Sequence, residues 1–297
     1  MKRQLSVHLA RTCNLYCAYC QAPPDGSADN RYEVSAKLRK GKIDTVSLEG
    51  GGEPTVGEDL FGWLAFLKTC GVKTFFLSTN AVALADMKLA RRLSGEIDGY
   101  VVNLPACRED IYRKATRSVK FRQAAAGLDN LKKLGLSGRV RLFHIIFRHN
   151  YRFLPEFADW VLKRAPGIGF VNFTFMRNIG RAARSRETLL PSYREVEPFL
   201  QIALARLKMK GMRAVIQNMP LCALKNFEGF SFELHRWRQR LPVISGEDPP
   251  KVRTVACGRC SLEPACCGAR PDYLSVHGRK ELSPSQLKPG SVVPEAF

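Results

Sequence analysis

Apolar runs of strand length alternate with segments of helical apolar spacing through the first two-thirds of this chain, and that alternation limits the fold more than any other feature. Leu5 to Leu9, Asp44 to Leu48, Lys73 to Leu77, Tyr100 to Leu104, Val140 to Phe147 and Phe170 to Met176 read as strands. Leu60 to Lys68, Leu84 to Leu93, Phe121 to Leu134 and Leu154 to Lys163 carry apolar residues at helical spacing between them. Strands separated by helices pair in parallel through right-handed crossovers. Six such units predict an α/β fold, a partial (β/α)6 TIM-like barrel over residues 1–190. Chemistry in such barrels gathers at the C-terminal ends of the strands.

Beyond Arg186 the pattern changes. Ser192, with Glu195 three residues on, has the form of a capping box and opens a linking helix over about 191–211. Arg213 to Gln217 could add one more strand. From Pro220 onward the chain is rich in Cys, Pro and Gly with little periodicity. An irregular segment of that kind needs a staple, and a bound metal group is one. Residues 212–297 are therefore expected to form a small separate domain.

The chain has ten cysteines, and seven fall in two short-spaced sets. No signal-peptide core and no membrane-length apolar run is present, so a cytoplasmic protein without a membrane partner is expected. Cysteines there seldom form disulfides, and short spacing points to metal. Cys13, Cys17 and Cys20 lie in the loop after the first strand. Three thiolates hold three irons of a [4Fe–4S] cluster and leave the fourth open, as chemistry at a metal requires. A zinc or redox knuckle is the alternative. Cys257, Cys260, Cys266 and Cys267 form the second set. Cys267 adjoins Cys266, and spacing alone leaves open which of the two ligates. Four thiolates suit zinc as well as a closed [4Fe–4S] cluster.

The first set, CxxxCxxC with Tyr19 before the last cysteine, resembles the signature of the radical S-adenosylmethionine (SAM) superfamily. The resemblance implies that SAM chelates the open iron and is cleaved reductively to methionine and a 5′-deoxyadenosyl radical. Gly51-Gly52-Glu53-Pro54, after the second strand, is similar to the family's GGEP motif, whose glycines let backbone approach SAM closely. The Glu53 region is then expected to meet the SAM amino group. By the same resemblance Asn103 would contact the SAM ribose, and Ser78 and Asn80 would face SAM as a polar pair. Arg117 would lie near the SAM carboxylate, and Ile145 and Met176 would flank the adenine. The second cysteine set resembles the SPASM and shorter twitch auxiliary-cluster domains, with too few cysteines for two auxiliary clusters. One auxiliary [4Fe–4S] cluster is the expectation, and the resemblance implies Cys222 as its fourth ligand from a distance.

The resemblance also frames the substrate. A ribosomally synthesised peptide is expected, with crosslinking, epimerisation or another oxidation at a C–H position. A small molecule, such as a sugar, nucleotide or cofactor precursor, is the runner-up. RNA modification and a non-catalytic binding protein are weaker readings. Cys107, after the fourth strand, and Cys267 are candidate hydrogen-atom donors, although a small buried hydrophobe is the commoner role of such residues. The formal net charge of +20 suits acidic partners: an acidic substrate or leader peptide, or an electron donor such as flavodoxin or ferredoxin. Little chain precedes Cys13, so a leader is expected to meet the barrel itself or a leader-peptide-binding partner protein. Arg177, Arg181, Arg184 and Arg186 form the densest basic group, at the barrel's expected open end.

Overall fold

The computed structural model describes residues 4–9, 11–21, 29–57, 59–243 and 251–296. In chain order the elements are β1 (Gln4–His8), α1 (Arg31–Gly41), β2 (Thr45–Glu49), α2 (Leu60–Thr69), β3 (Thr74–Thr79), α3 (Met87–Ser94) and β4 (Gly99–Asn103). Then come α4 (Glu109–Thr116), α5 (Phe121–Lys133), β5 (Val140–Ile146), α6 (Leu154–Arg164) and β6 (Phe170–Phe175). The chain ends with α7 (Arg186–Leu189), α8 (Tyr193–Met209), β7 (Ala214–Gln217), α9 (Phe232–Arg238) and α10 (Pro271–His277). All six expected strands form, and the seventh apolar run pairs with β6. Strand order follows chain order, and every described pairing is parallel. This is the α/β partial-barrel topology that the alternation predicts. Among the described residues no helix is long and apolar enough to cross a membrane.

The chain divides into two compact units. The first comprises residues 1–143, 164–169 and 179–181, and the second 144–163, 170–178 and 182–297. β5 starts in the first and ends in the second.

Within the first unit the strands show the period of two that their sequences encode. β3 alternates half-buried with buried residues, Phe75, Leu77 and Thr79 being buried. β4 and β5 behave alike, with Tyr100, Val102, Val140 and Leu142 on the covered face. Leu64 and Leu67 of α2, Leu93 of α3 and Leu128 and Leu131 of α5 are buried too and complete the core. The other face carries Phe76, Ser78, Val101, Asn103, Arg141 and Phe143 at half-burial. The Arg141 guanidinium lies 4.6 Å over the Phe76 ring, and a Cβ on Gly99 would collide with that ring at 2.5 Å.

Two crossover helices are absent from the apolar-spacing reading. α1 buries only Val34, Ser35 and Leu38 and is otherwise highly charged, so its apolar stripe is too thin to stand out. α4 is only eight residues long, and two of its buried positions are Ala115 and Thr116. The expected helix from Leu84 starts as a short 3-10 turn, Ala83–Ala85, and α3 begins only after Asp86, whose carboxylate caps Lys88 N at 2.8 Å. Buried Asn130 of α5 donates to the Leu84 and Ala85 carbonyls at 2.9 and 3.0 Å, which removes the cost of its own burial.

In the second unit Ser192 caps α8 as its sequence indicates. Its Oγ accepts from Glu195 N at 3.2 Å, and Glu195 Oε2 accepts from Ser192 N at 2.8 Å. His144 is buried, pairs through Nε2 with Asn150 Nδ2 at 3.1 Å and lies 3.9 Å from the Phe157 ring at a tilt of 42°, so it belongs to the core.

Candidate functional site

The loop after β1 carries Cys13, Cys17 and Cys20, all half-buried, between two buried anchors, Leu15 and Tyr19. Backbone from three directions holds it. Tyr16 N donates to Thr116 O at 3.0 Å and Ala18 N to Ala115 O at 2.8 Å, which pairs carbonyls that the end of α4 leaves open. Glu53 N donates to Thr12 O at 2.9 Å. Arg181 donates from its backbone N to Cys20 O at 2.9 Å and from Nη1 to Cys17 O at 3.0 Å. Lys120 Nζ reaches Asn14 O at 3.2 Å.

Burial pushes the Cys17 thiol up to about 12 and raises Cys13 as well, and Arg181 pulls both the other way. Thiols so placed ionise when cationic iron binds them, because ligation is by thiolate. Three half-buried thiols on one braced loop, near enough to raise one another's pKa, suit three corners of a [4Fe–4S] cluster.

The Gly-Gly-Glu-Pro segment follows β2. Gly50 and Gly51 have positive φ, 65° and 64°, and a Cβ on Gly50 would lie 2.7 Å from the His8 ring. Glu53 is buried and its carboxylate is turned into the protein. Oε1 accepts from Thr55 N at 3.2 Å, Thr55 Oγ1 at 2.5 Å and Thr79 Oγ1 at 2.6 Å, and Oε2 accepts from Asn80 N at 2.7 Å. Its pKa is raised by burial, against which all these donors work. Gly52 and buried Pro54 flank it, Pro54 opening a short 3-10 turn. Asn80 donates from Nδ2 to Asn14 Oδ1 at 2.7 Å and accepts from Val82 N at 3.0 Å. Tyr19 Oη reaches Asn103 Oδ1, at the end of β4, at 3.5 Å. The cysteine loop, the Glu53 turn and the ends of β3 and β4 are thus bonded into one site. Ser78 lies on the half-buried face of β3 beside this junction.

Arg117 ends α4 in the left-handed region (φ 54°), is exposed, and places its guanidinium 5.1 Å over the Tyr16 ring. Cys107 lies half-buried in the turn between β4 and α4. Ile145 and Met176 belong to the second unit, where Met176 is buried and its N–H bonds Ile146 O at 3.1 Å. Thr79 and Asn14 are absent from the sequence-predicted site residues, and the sequence places Arg181 only in the basic group after the sixth strand. Thr79 sits between Ser78 and Asn80 on the opposite face of the strand, which a period-two count indicates. No short-range signal marks Arg181.

The second cysteine set makes its own pocket in the second unit. Cys222, Cys257, Cys260 and Cys266 line it together with Pro220 and Leu262. Backbone N–H groups point at each sulfur. Cys266 Sγ accepts from Leu221 N and Gly268 N, both at 3.4 Å, Cys257 Sγ from Thr254 N at 3.4 Å and Cys260 Sγ from Ser285 N at 3.3 Å. Cys222 is pushed up to about 12 by burial and is held back by a bond from the Ser283 backbone. Cys267 is not on the pocket wall. It is buried, and its thiol is directed to Gly268 O at 3.3 Å and Met219 O at 3.7 Å. The adjoining Cys267 thiol lowers Cys266 to about 7, and the same neighbour together with burial raises Cys267. Among the described residues no group of three His, Cys, Asp or Glu is arranged for a single metal ion.

A family model described as the Radical SAM superfamily matches residues 7–161, more than half of the chain. A probable GTP 3′,8-cyclase of Saccharolobus islandicus is 26% identical over 208 residues, which cover 66% of this chain and 64% of that protein. Its counterpart in Saccharolobus solfataricus is 27% identical over the same shares. The chain therefore spans just under two thirds of these relatives' length. In fold the chain is similar to Streptococcus suis SuiB bound to S-adenosylmethionine, with a TM-score of 0.61, 15% identity, and 96% of this chain and 77% of that chain covered. It is similar also to anSMEcpe with bound AdoMet and Cp18Cys peptide, with a TM-score of 0.58, 17% identity, and 82% and 68% covered.

Proposed function

The chain belongs to the radical SAM superfamily, and on that premise we propose that it modifies a C–H position of a ribosomally synthesised peptide, assisted by one auxiliary [4Fe–4S] cluster. Membership implies SAM and a [4Fe–4S] cluster, which together supply a 5′-deoxyadenosyl radical. The protein's part is to hold and orient. Cys13, Cys17 and Cys20 would bind the cluster. The Gly51–Gly52 backbone offers close approach to the SAM amino group, and Glu53 keeps that backbone in place from behind. Tyr19 fixes the side chain of Asn103 near the expected ribose position. Ser78, on the half-buried face of β3, would face SAM as well.

The observation that carries the auxiliary cluster is the pocket wall of Cys222, Cys257, Cys260 and Cys266, with an N–H group directed at each sulfur. Such bonds orient thiolates and set the potential of the iron they hold. Cys266 rather than Cys267 is the fourth ligand in this reading. A site ligated by four thiolates is suited to passing electrons, as oxidation of a peptide C–H position requires. An acidic electron donor such as flavodoxin or ferredoxin, and a leader-binding partner, complete the proposal.

A second reading has its own support: the curated relatives at 26–27% identity are probable GTP 3′,8-cyclases, so the substrate would be a purine nucleotide. Anaerobic reconstitution with SAM and reductant separates the two. Conversion of GTP with consumption of SAM supports the nucleotide. A mass change in a candidate precursor peptide, with GTP untouched, supports the peptide. No 5′-deoxyadenosine under any condition refutes both.

A further inference from the structure

The segment after β6 comes back to the cysteine loop at residues 179–181, a contact that no sequence motif announces. Gly180 has a positive φ of 61°, and a Cβ there would lie 2.4 Å from Gln21 O and 2.8 Å from Cys20 O. The close approach therefore requires glycine. It delivers Arg181, whose backbone N bonds Cys20 O and whose Nη1 bonds Cys17 O. The guanidinium carbon lies 3.5 Å from the Tyr16 ring centre, and that of Arg117 lies 5.1 Å from the same centre. Arg181 is half-buried, whereas Tyr16 is 50% exposed.

Three contacts from one residue fix both the position of the cysteine loop and the position of a charge. Carbonyls of two of the three cysteines accept from Arg181, so their Cα positions, and the thiols hung from them, are held at a set separation. A stacked guanidinium cannot swing into solvent, and it is always charged. A positive charge held beside a cluster favours the reduced form, which carries one more negative charge. Outer-sphere hydrogen bonds and charge are the means by which a protein sets such potentials.

We propose that Arg181 is a positioning residue for the first cluster, which keeps iron in the Cys13–Cys17–Cys20 loop and makes the cluster easier to reduce. This rests on the reading that those cysteines hold a [4Fe–4S] cluster. The basic group after β6 is thus divided: Arg181 serves the cluster loop and is not available to greet an acidic substrate.

The test uses the full chain, reconstituted without oxygen, with Arg181→Gln and Arg181→Lys beside the natural protein. A redox titration follows the paramagnetic signal that SAM perturbs, and iron loss to a chelator is timed. Gln should shift the midpoint to a more negative value, shed iron faster and slow SAM cleavage about tenfold or more, the usual cost of losing an outer-sphere partner. Lys should keep the midpoint near that of the natural protein, because the charge stays. It should still shed iron faster, because a compact ammonium cannot both bond Cys17 O and cover the Tyr16 ring. If Gln does not fold, Tyr16→Ala takes its place. It removes only the stacking surface, and faster iron loss is expected. Unchanged midpoint and iron retention in every variant overturns the proposal. Equal midpoint shifts in Lys and Gln also overturn it, since charge would then not be the cause. A natural protein with no SAM-perturbed signal counts against the cluster reading beneath, not against Arg181.

Discussion

Glu53 accepts from Thr55, Thr79 and Asn80 through one buried carboxylate, and its removal would strand donors from two segments. Burial raises its pKa, so the native chain holds this proton more tightly than the unfolded chain. The group therefore favours folding below the ordinary carboxylate value, and that contribution is lost as pH rises through the raised pKa. Glu53→Gln abolishes this titration. The stability of the natural protein relative to the variant should fall as pH rises through that window, as urea melts at a series of pH values will measure. At the second cysteine set, Cys266 faces the pocket and Cys267 turns away to Gly268 O. Iron analysis of reconstituted protein should show Cys266→Ala losing about four of roughly eight irons, and Cys267→Ala retaining them.

Among elements, α5 makes the clearest case of packing against propensity. Ala normally exceeds Gly by about 1 kcal/mol inside a helix. A Cβ on Gly127, however, would lie 2.1 Å from Ala81 O and 3.1 Å from Leu84 Cβ. The neighbour is backbone, at a residue already held at φ 61°, so it cannot yield cheaply. Gly127→Ala should therefore destabilise by roughly 1–3 kcal/mol, the cost of overpacking, and denaturant midpoints will show the sign. The turn at Ala81 follows Asn80, so the same substitution should also weaken SAM binding, measurable by calorimetry. The β-strands were legible in the sequence because each is a compact apolar run ending in small or polar residues. α1 and α4 were not, since one is mostly charged outside three buried positions and the other is short. The capping box at Ser192 and Glu195 was legible because both halves lie within one turn.

At the scale of the molecule, the two cysteine sets fall in different units, Cys13, Cys17 and Cys20 in the first and Cys222, Cys257, Cys260 and Cys266 in the second. Each unit supplies its own thiols and the hydrogen bonds that hold them or the loop that carries them. Replacing Cys257 and Cys260 together by Ala should leave slow, substrate-free formation of 5′-deoxyadenosine, while replacing Cys13, Cys17 and Cys20 should abolish it; chromatography of the reaction mixture reads both. What the sequence determined by itself is what short-range order encodes: the strand–helix alternation, hence the parallel α/β class, and the spacing of thiols along one loop, hence the superfamily. Only the tertiary structure decided that Glu53 braces β3 from behind, that Cys266 faces the pocket while Cys267 does not, and that Arg181 returns to the cysteine loop. These depend on the direction of single side chains and on contacts such as Arg181 to Cys17, 164 positions apart. No local periodicity carries that information, because such pairs meet only after the intervening chain has packed.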